Sequence, residues 1–140
     1  MKVLVDTNIA LDVLLKRIPH YEKSAKVLVL SEKKVIDAYI SASAITDIYY
    51  IIRKTLKDKR ATIDLLKKLI NVVNVASVTD NTVHQALELE WSDFEDSIQY
   101  AVGESLLVEY FISRNPHDFR QGLISVLTPE EFLRHLSISN

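Results

Sequence analysis

The sequence predicts an α/β fold, a three-layer α/β/α sandwich with a central parallel sheet of four to five strands. Three observations predict it. Short apolar, β-branched runs alternate with longer amphipathic segments, the pattern of strands joined by crossover helices. At 140 residues the chain is long enough to bury a core without cross-links, and it has no cysteine to make any. Hydrophobic residues at 48% and charged residues at 26% form a globular rather than a disordered balance. No repeat, low-complexity tract or linker divides the chain, so residues 1–140 are expected to form one domain.

The elements follow in order. Val3-Leu4-Val5 reads as a buried strand ending at Asp6. Residues 8–15 read as a helix with Ile9, Val13 and the leucines on one side, stopped by Pro19. A second helix is expected over residues 20–32, and a second strand from Val35 to Ile40. Residues 43–57 place Ala44, Ile45, Ile48, Ile51, Ile52 and Leu56 on one helical face. Another helix is expected over residues 60–71, and the β-branched run from Val72 to Val78 is a third strand. Asp80 is a cap for a helix reaching Glu90. Ser92-Asp93-Phe94-Glu95 has the capping-box pattern and opens a helix to residue 105. Leu107 to Ile112 is a fourth strand, followed by a polar loop over residues 113–121 and a brief strand at residues 124–126. Thr128-Pro129-Glu130-Glu131 caps a last helix, since proline is tolerated in a first turn.

Several function classes are poorly supported. Without cysteine there is no thiolate metal site and no cysteine nucleophile. Only Gly103 and Gly122 exist, too few for a glycine-rich nucleotide loop, and neither G-x-S-x-G nor H-E-x-x-H occurs. His20, His84, His117 and His135 are scattered without ligand spacing and read as surface or core residues. The N-terminal MKVLVDTNIALDVLL is interrupted by Asp6 and Asp12, unlike a signal peptide, and no stretch reaches the ~18 apolar residues of a membrane span. The expectation is a cytoplasmic protein that does not engage a membrane. A net charge of −2 excludes binding to nucleic acid by bulk charge alone. The most basic stretch, Arg53 to Arg60, reads first as a solvated helix end whose cations suit the dipole.

In open α/β sheets, ligands bind beyond the carboxyl ends of the strands. Acidic residues collect there. Asp6 ends the first strand, Asp47 is in the early turns of the helix after the second, Asp93 and Asp96 open the helix before the fourth, and Asp118 lies in the loop after it. Each has a bland alternative. Asp6-Thr7-Asn8 can be an N-cap, Asp93 and Asp96 can simply complement a helix dipole, and Asn115-Pro116-His117-Asp118 can be a turn. On a helical wheel Asp47 borders the apolar face, where a carboxylate is costly unless paired, hydrogen-bonded or bound to metal. The joint placement carries the weight. Clustered carboxylates repel one another without a cation, and hard-oxygen sets of this kind suit Mg²⁺ or Mn²⁺ and phosphoryl chemistry.

Four blocks in order carry a resemblance over nearly the whole chain. They are Val5-Asp6-Thr7-Asn8 with Leu11-Asp12, the stretch from Ser41 to Tyr50 around Asp47, the stretch from Asp93 to Ala101, and Ser113 to Phe119; Leu127 to Leu133 adds a fifth. Together they resemble the PIN-domain superfamily, in particular its VapC-like bacterial toxin branch. The resemblance implies a Mg²⁺- or Mn²⁺-dependent ribonuclease on the α/β/α sandwich. Asp6 matches the family's first acid, Asp47 the second (more often glutamate), and Asp96 the third, with Asp93 and Asn8 as supporting residues. By spacing, Asn115 stands where many members carry the fourth aspartate, and Asp118 is the residue to supply or replace that charge. Ser113 matches a hydroxyl position associated with the site. The shorter Asp47 and the neutral Asn115 weaken a second metal position, so one metal is expected.

The resemblance also implies an RNA substrate, an antitoxin protein partner and a homodimer. Tyr49-Tyr50 and the apolar early helices are candidate contact surfaces, although aromatic residues at helical spacing usually pack inward. The leading expectation is thus the toxin of a toxin–antitoxin pair, cutting RNA. The alternatives are a degenerate PIN domain that binds RNA or protein without cutting, and a phosphatase of the haloacid-dehalogenase type. The latter wants a second aspartate where this chain has Asn8.

Overall fold

Val3, Leu4 and Val5 have no solvent exposure, as a strand covered on both faces requires. They belong to β1 (Lys2–Val5), the middle strand of a parallel sheet in a computed structural model that describes residues 1–119 and 122–139. β2 (Asp37–Ser41), β3 (Asn74–Ala76), β4 (Tyr110–Ile112) and β5 (Ser125–Leu127) complete the order β3-β2-β1-β4-β5. Every pairing is parallel, with Leu4 opposite Tyr39 on one side and Phe111 on the other. The chain builds outward from β1 in one direction and later in the other. The order therefore reverses between β1 and β4, where a crevice forms at the strands' carboxyl ends. Asp6 stands at that point, its backbone N–H donating to Ile112 O at 2.9 Å.

Alternation along β1 sends its side chains to two cores. Val3 and Val5 pack with Ile9 of α1 (Thr7–Leu14), Val27 of α2 (Tyr21–Glu32), Ile48 of α3 (Ala42–Leu56), Leu69 of α4 (Lys59–Val72) and Phe132 of α7 (Pro129–Ser139). Leu4 packs on the other face with Ala86 of α5 (Asp80–Leu89), Ala101 of α6 (Phe94–Leu106), Phe111 and Phe119. Helices on both faces of one parallel sheet make the three layers expected from the sequence. Among the described residues, no helix is long and apolar enough to cross a membrane.

Local chemistry moved several boundaries. Val72 closes α4, and the strand expected over residues 72–78 shrinks to Asn74–Ala76, an edge strand paired on one side only. Thr79, not Asp80, caps α5, in a reciprocal bond with Thr82. Asp93, not Ser92, caps α6 and accepts from the Asp96 N–H at 3.1 Å. Leu107 ends α6 with φ of 57°, which turns the chain and delays β4 to Tyr110. Within the loop expected at residues 113–121, Pro116–Phe119 forms a 3₁₀ turn, and residues 120–121 lie outside the described residues. Thr128 and Glu131 cap the last helix reciprocally, as the sequence predicts.

One buried side chain ties the segment after the 3₁₀ turn to α6. The Tyr100 hydroxyl of α6 accepts from the Leu123 N–H and, at 3.2 Å, from the Ile124 N–H. A Cβ at Gly122 would clash with the Tyr100 ring, which is buried and held. Gly122→Ala is therefore expected to cost about 1–3 kcal/mol, the scale of overpacking a filled site. Urea unfolding of the variant checks this, and an unchanged midpoint would show that the ring gives way freely.

Candidate active site

Four elements converge on the crevice between β1 and β4. Asp6 closes β1 and caps α1; its Oδ1 accepts the Thr7 N–H at 2.7 Å. Its Oδ2 accepts from Ser113 Oγ at 2.8 Å, and Ser113 Oγ accepts the Asn115 N–H at 3.0 Å. Asp6 is thus both a cap and a member of a polar chain across the sheet. Burial pushes its pKa up, while the bonds from Ser113, Thr7 and Gln99 pull it down and the Asp118 charge pushes it up.

α3 brings Asp47, Tyr50 and Ile51 to the same cleft, and the start of α6 brings Asp93, Glu95, Asp96 and Gln99. Asp118 reaches it from the 3₁₀ turn, and Asn8 from the first turn of α1. The cleft holds about 420 Å³, and six carboxylates line it with no Lys, Arg or His among the lining residues. Burial, then the charges of Asp93, Asp6, Asp118 and Glu95, push the Asp96 pKa to about 7. Burial and the Asp47 charge likewise raise Glu95, against a 3.2 Å bond from Ser43 Oγ.

Asp6, Asp47, Asp93, Asp96 and Asp118 are therefore brought together as the sequence predicts, with Asn8 beside them and Ser113 behind Asp6. Three expectations change. Asp47 is exposed rather than set against the apolar face, because the stripe of α3 narrows to Ala44, Ile48 and Ile52 while Ile51 opens to the cleft. Tyr50 likewise is 66% exposed and not part of the core. Asn115 does not line the cleft and meets the polar chain through its backbone, whereas Asp118 lies on the cleft and its charge is felt at Asp6 and Asp96.

Glu95 and Gln99 escaped the sequence reading as site residues. Glu95 reads as the partner of a Ser92 cap, but Asp93 takes that role and leaves Glu95 facing the cleft. Gln99 lies three residues beyond Asp96 on the same helix edge, a spacing that would have found it.

The donor set fits a hard divalent cation. Among the described residues, six carboxylates share one cleft without a countercharge, and Gln99 Oε1, also on its wall, is buried without a hydrogen-bond partner. Among the described residues no three acidic or histidine side chains converge closely enough to hold an ion unaided. That arrangement suits a cation held by one or two carboxylates and completed by water and phosphate oxygens.

The raised pKa of Asp96 has a testable sign. The folded, metal-free protein binds that proton more tightly than the unfolded chain does. Stability from this group is complete below the ordinary aspartate value of 3.8 and is lost as pH rises through about 7. The melting temperature in EDTA is expected to carry a destabilising contribution that grows between these pH values, and saturating Mg²⁺ should remove most of it. Equal Mg²⁺ stabilisation at both ends of the range would contradict the crowding described here.

Comparison with known proteins agrees with this geometry. The PIN domain family matches residues 2–128. Ribonuclease VapC1 of Aquifex aeolicus (strain VF5) is 28% identical over 136 residues, covering 94% of this chain and 92% of the relative. The VapBC2 structure from Rickettsia felis, bound to a DNA fragment from its promoter, superposes with a TM-score of 0.73 at 16% identity, covering 91% of this chain and 97% of that one. Mycobacterium tuberculosis VapC20, a Sarcin-Ricin loop cleaving toxin, superposes with a TM-score of 0.70 at 17% identity, over 89% and 98%. The chain belongs to the PIN-domain family.

Proposed function

We propose that this chain is a metal-dependent RNA endonuclease and the toxin of a toxin–antitoxin pair, residues 1–140 acting as one nuclease domain in the cytoplasm. The observation that carries the reading is the cleft of six carboxylates, with no countercharge among the described residues that line it, at the switch point of a PIN-domain sheet. The ribonuclease named among its relatives supports the reaction, and the VapBC complex among its structural neighbours supports an antitoxin partner. A homodimer is part of the same reading. A non-catalytic scaffold would have no use for carboxylates kept at a desolvation cost.

In this reading Asp6, Asp47 and Asp96 would surround one Mg²⁺ or Mn²⁺, one or two of them directly and the rest through water, and Asp118 would supply the fourth charge. When bound, the cation lowers the pKa of a water and stabilises charge on the phosphate in an in-line displacement. Ser113 and the Thr7 N–H orient the Asp6 carboxylate, and Asn8 borders it. Asp93 fixes the start of α6 and with it the direction of Asp96. The crowding that raises the Asp96 pKa makes loading of the site compete with a proton at that carboxyl, and Glu95 is available for water-mediated contact.

The direct test is cleavage of single-stranded RNA with Mg²⁺ or Mn²⁺. Cleavage is expected, to be lost in EDTA and recovered with excess metal. Cleavage that persists in chelator would remove the metal from the mechanism, and metal-loaded protein that cuts no RNA would remove the nuclease. Growth arrest on expression, relieved by the product of a neighbouring gene, is the expected sign of a toxin.

A further inference from the structure

The acid cluster has a hollow on each side. The cleft already described, about 420 Å³, runs from Asp93, Asp96 and Asp118 to Tyr50 and Ile51. A second hollow of about 410 Å³ shares those three acids and runs the other way, to Trp91, Ser92, His117 and Glu90. Each is large enough for one planar heterocycle. Each also has an aromatic side chain on its wall, and the two rings differ in support. Tyr50 stands out from α3, and among the described residues its one ring contact is an edge contact to Tyr49 at 5.3 Å between centroids. Trp91 is half-buried and braced by Tyr100 at 4.9 Å and Phe119 at 6.2 Å.

We propose that these two hollows are nucleobase subsites flanking the scissile phosphate, with Tyr50 the stacking wall of one and Trp91 that of the other. The proposal rests on the nuclease reading for the position of that phosphate. Electrostatics decides which part of a nucleotide enters. Carboxylates repel a phosphate wherever no cation screens them, whereas a base is neutral and its amino and imino groups can donate to Glu90, Asp93 or Asp118. Aromatic walls add stacking that accepts any base. The phosphate is thereby drawn to the metal and the bases to the sides. Bases stacked within a duplex could not reach the two walls together, so the subsites select unpaired nucleotides.

Trp91 is the only tryptophan, so its emission reports on the second hollow alone. The experiment uses full-length Asp6→Asn protein with Mg²⁺, a short single-stranded RNA, the same strand lacking its bases, and the same strand in a duplex. Saturable change of Trp91 emission is expected with the base-bearing single strand and not with the abasic strand or the duplex. Tyr50→Ala, at an exposed position, is expected to weaken binding about tenfold by fluorescence anisotropy, and Tyr50→Phe to recover it. Equal binding of the abasic strand, or unchanged affinity in Tyr50→Ala, overturns the subsites even if the wild type cuts RNA. Base-dependent Trp91 response from a wild-type protein that cuts nothing keeps the subsites and overturns the nuclease reading instead.

Discussion

Asp6→Asn is expected to lower RNA cleavage on the order of 10²- to 10³-fold, the scale of removing one group that stabilises charge in a transition state. The same change is expected to raise the melting temperature of the metal-free protein at pH 7. Asparagine keeps the shape and caps a helix as well as aspartate does. It removes a carboxylate that is 6% exposed and whose pKa burial has pushed up despite the bonds from Ser113 and Thr7. A raised pKa means that the charged form is held at a cost to folding. That cost is absent well below pH 4, where the carboxyl is protonated in both states, and grows as pH rises through its folded value. The stabilisation of the variant should therefore vanish in acid, and Mg²⁺, still attracted by the other carboxylates of the cleft, should stabilise it less than it stabilises the wild type. Melting curves across pH with parallel cleavage assays check both halves. A variant less stable than wild type at pH 7 would mean that the polar chain to Ser113 outweighs the buried charge.

Arg114→Ala is expected to cost about 3 kcal/mol and roughly 10 °C in melting temperature. Asp12 is fully buried on α1 with no hydrogen-bond partner for Oδ1, and a long 3.4 Å bond from Ser24 Oγ helps little. Arg114 Nε stands 2.9 Å from Asp12 Oδ2 as an ion contact, without its N–H aligned as a hydrogen bond. Burial raises the Asp12 pKa even with Arg114 opposing it. Removing the cation leaves a buried carboxylate with only the smaller influence of His20, Arg17 and the long Ser24 bond. Because the pair itself contributes little net stability, Asp12→Leu with Arg114→Met should recover most of the loss, which a double-mutant cycle measures. Arg114 follows Ser113 in the chain, so the single variant should also weaken Mg²⁺ binding at Asp6. A loss under ~0.5 kcal/mol would mean that water reaches Asp12.

The legibility of the site followed from where each acid lies in the chain. Asp6, Asp96 and Asp118 were readable because strand ends and helix starts are marked by local chemistry: an apolar run, a cap, a proline turn. Glu95 was hidden by a competing local reading, since Ser92 and Glu95 match a capping box that Asp93 in fact replaces. The exposure of Asp47 was hidden because a helical wheel does not say how wide a neighbouring sheet's cover will be. Spacing pointed to Asn115 and charge to Asp118, and only the 3₁₀ turn at Pro116–Phe119 put Asp118 on the cleft and Asn115 off it.

By itself the sequence determined the layered α/β fold, the order of its elements and the family, because periodicity and capping are properties of neighbours along the chain. The tertiary structure decided what distant segments do to one another. It set β1 between β2 and β4, placed Ser113 against Asp6 and Arg114 against Asp12, and gave the acids a shared cleft with an aromatic ring on either side. The reason is physical. The cost of a carboxylate depends on the burial and charges around it, and those come from residues far away in sequence.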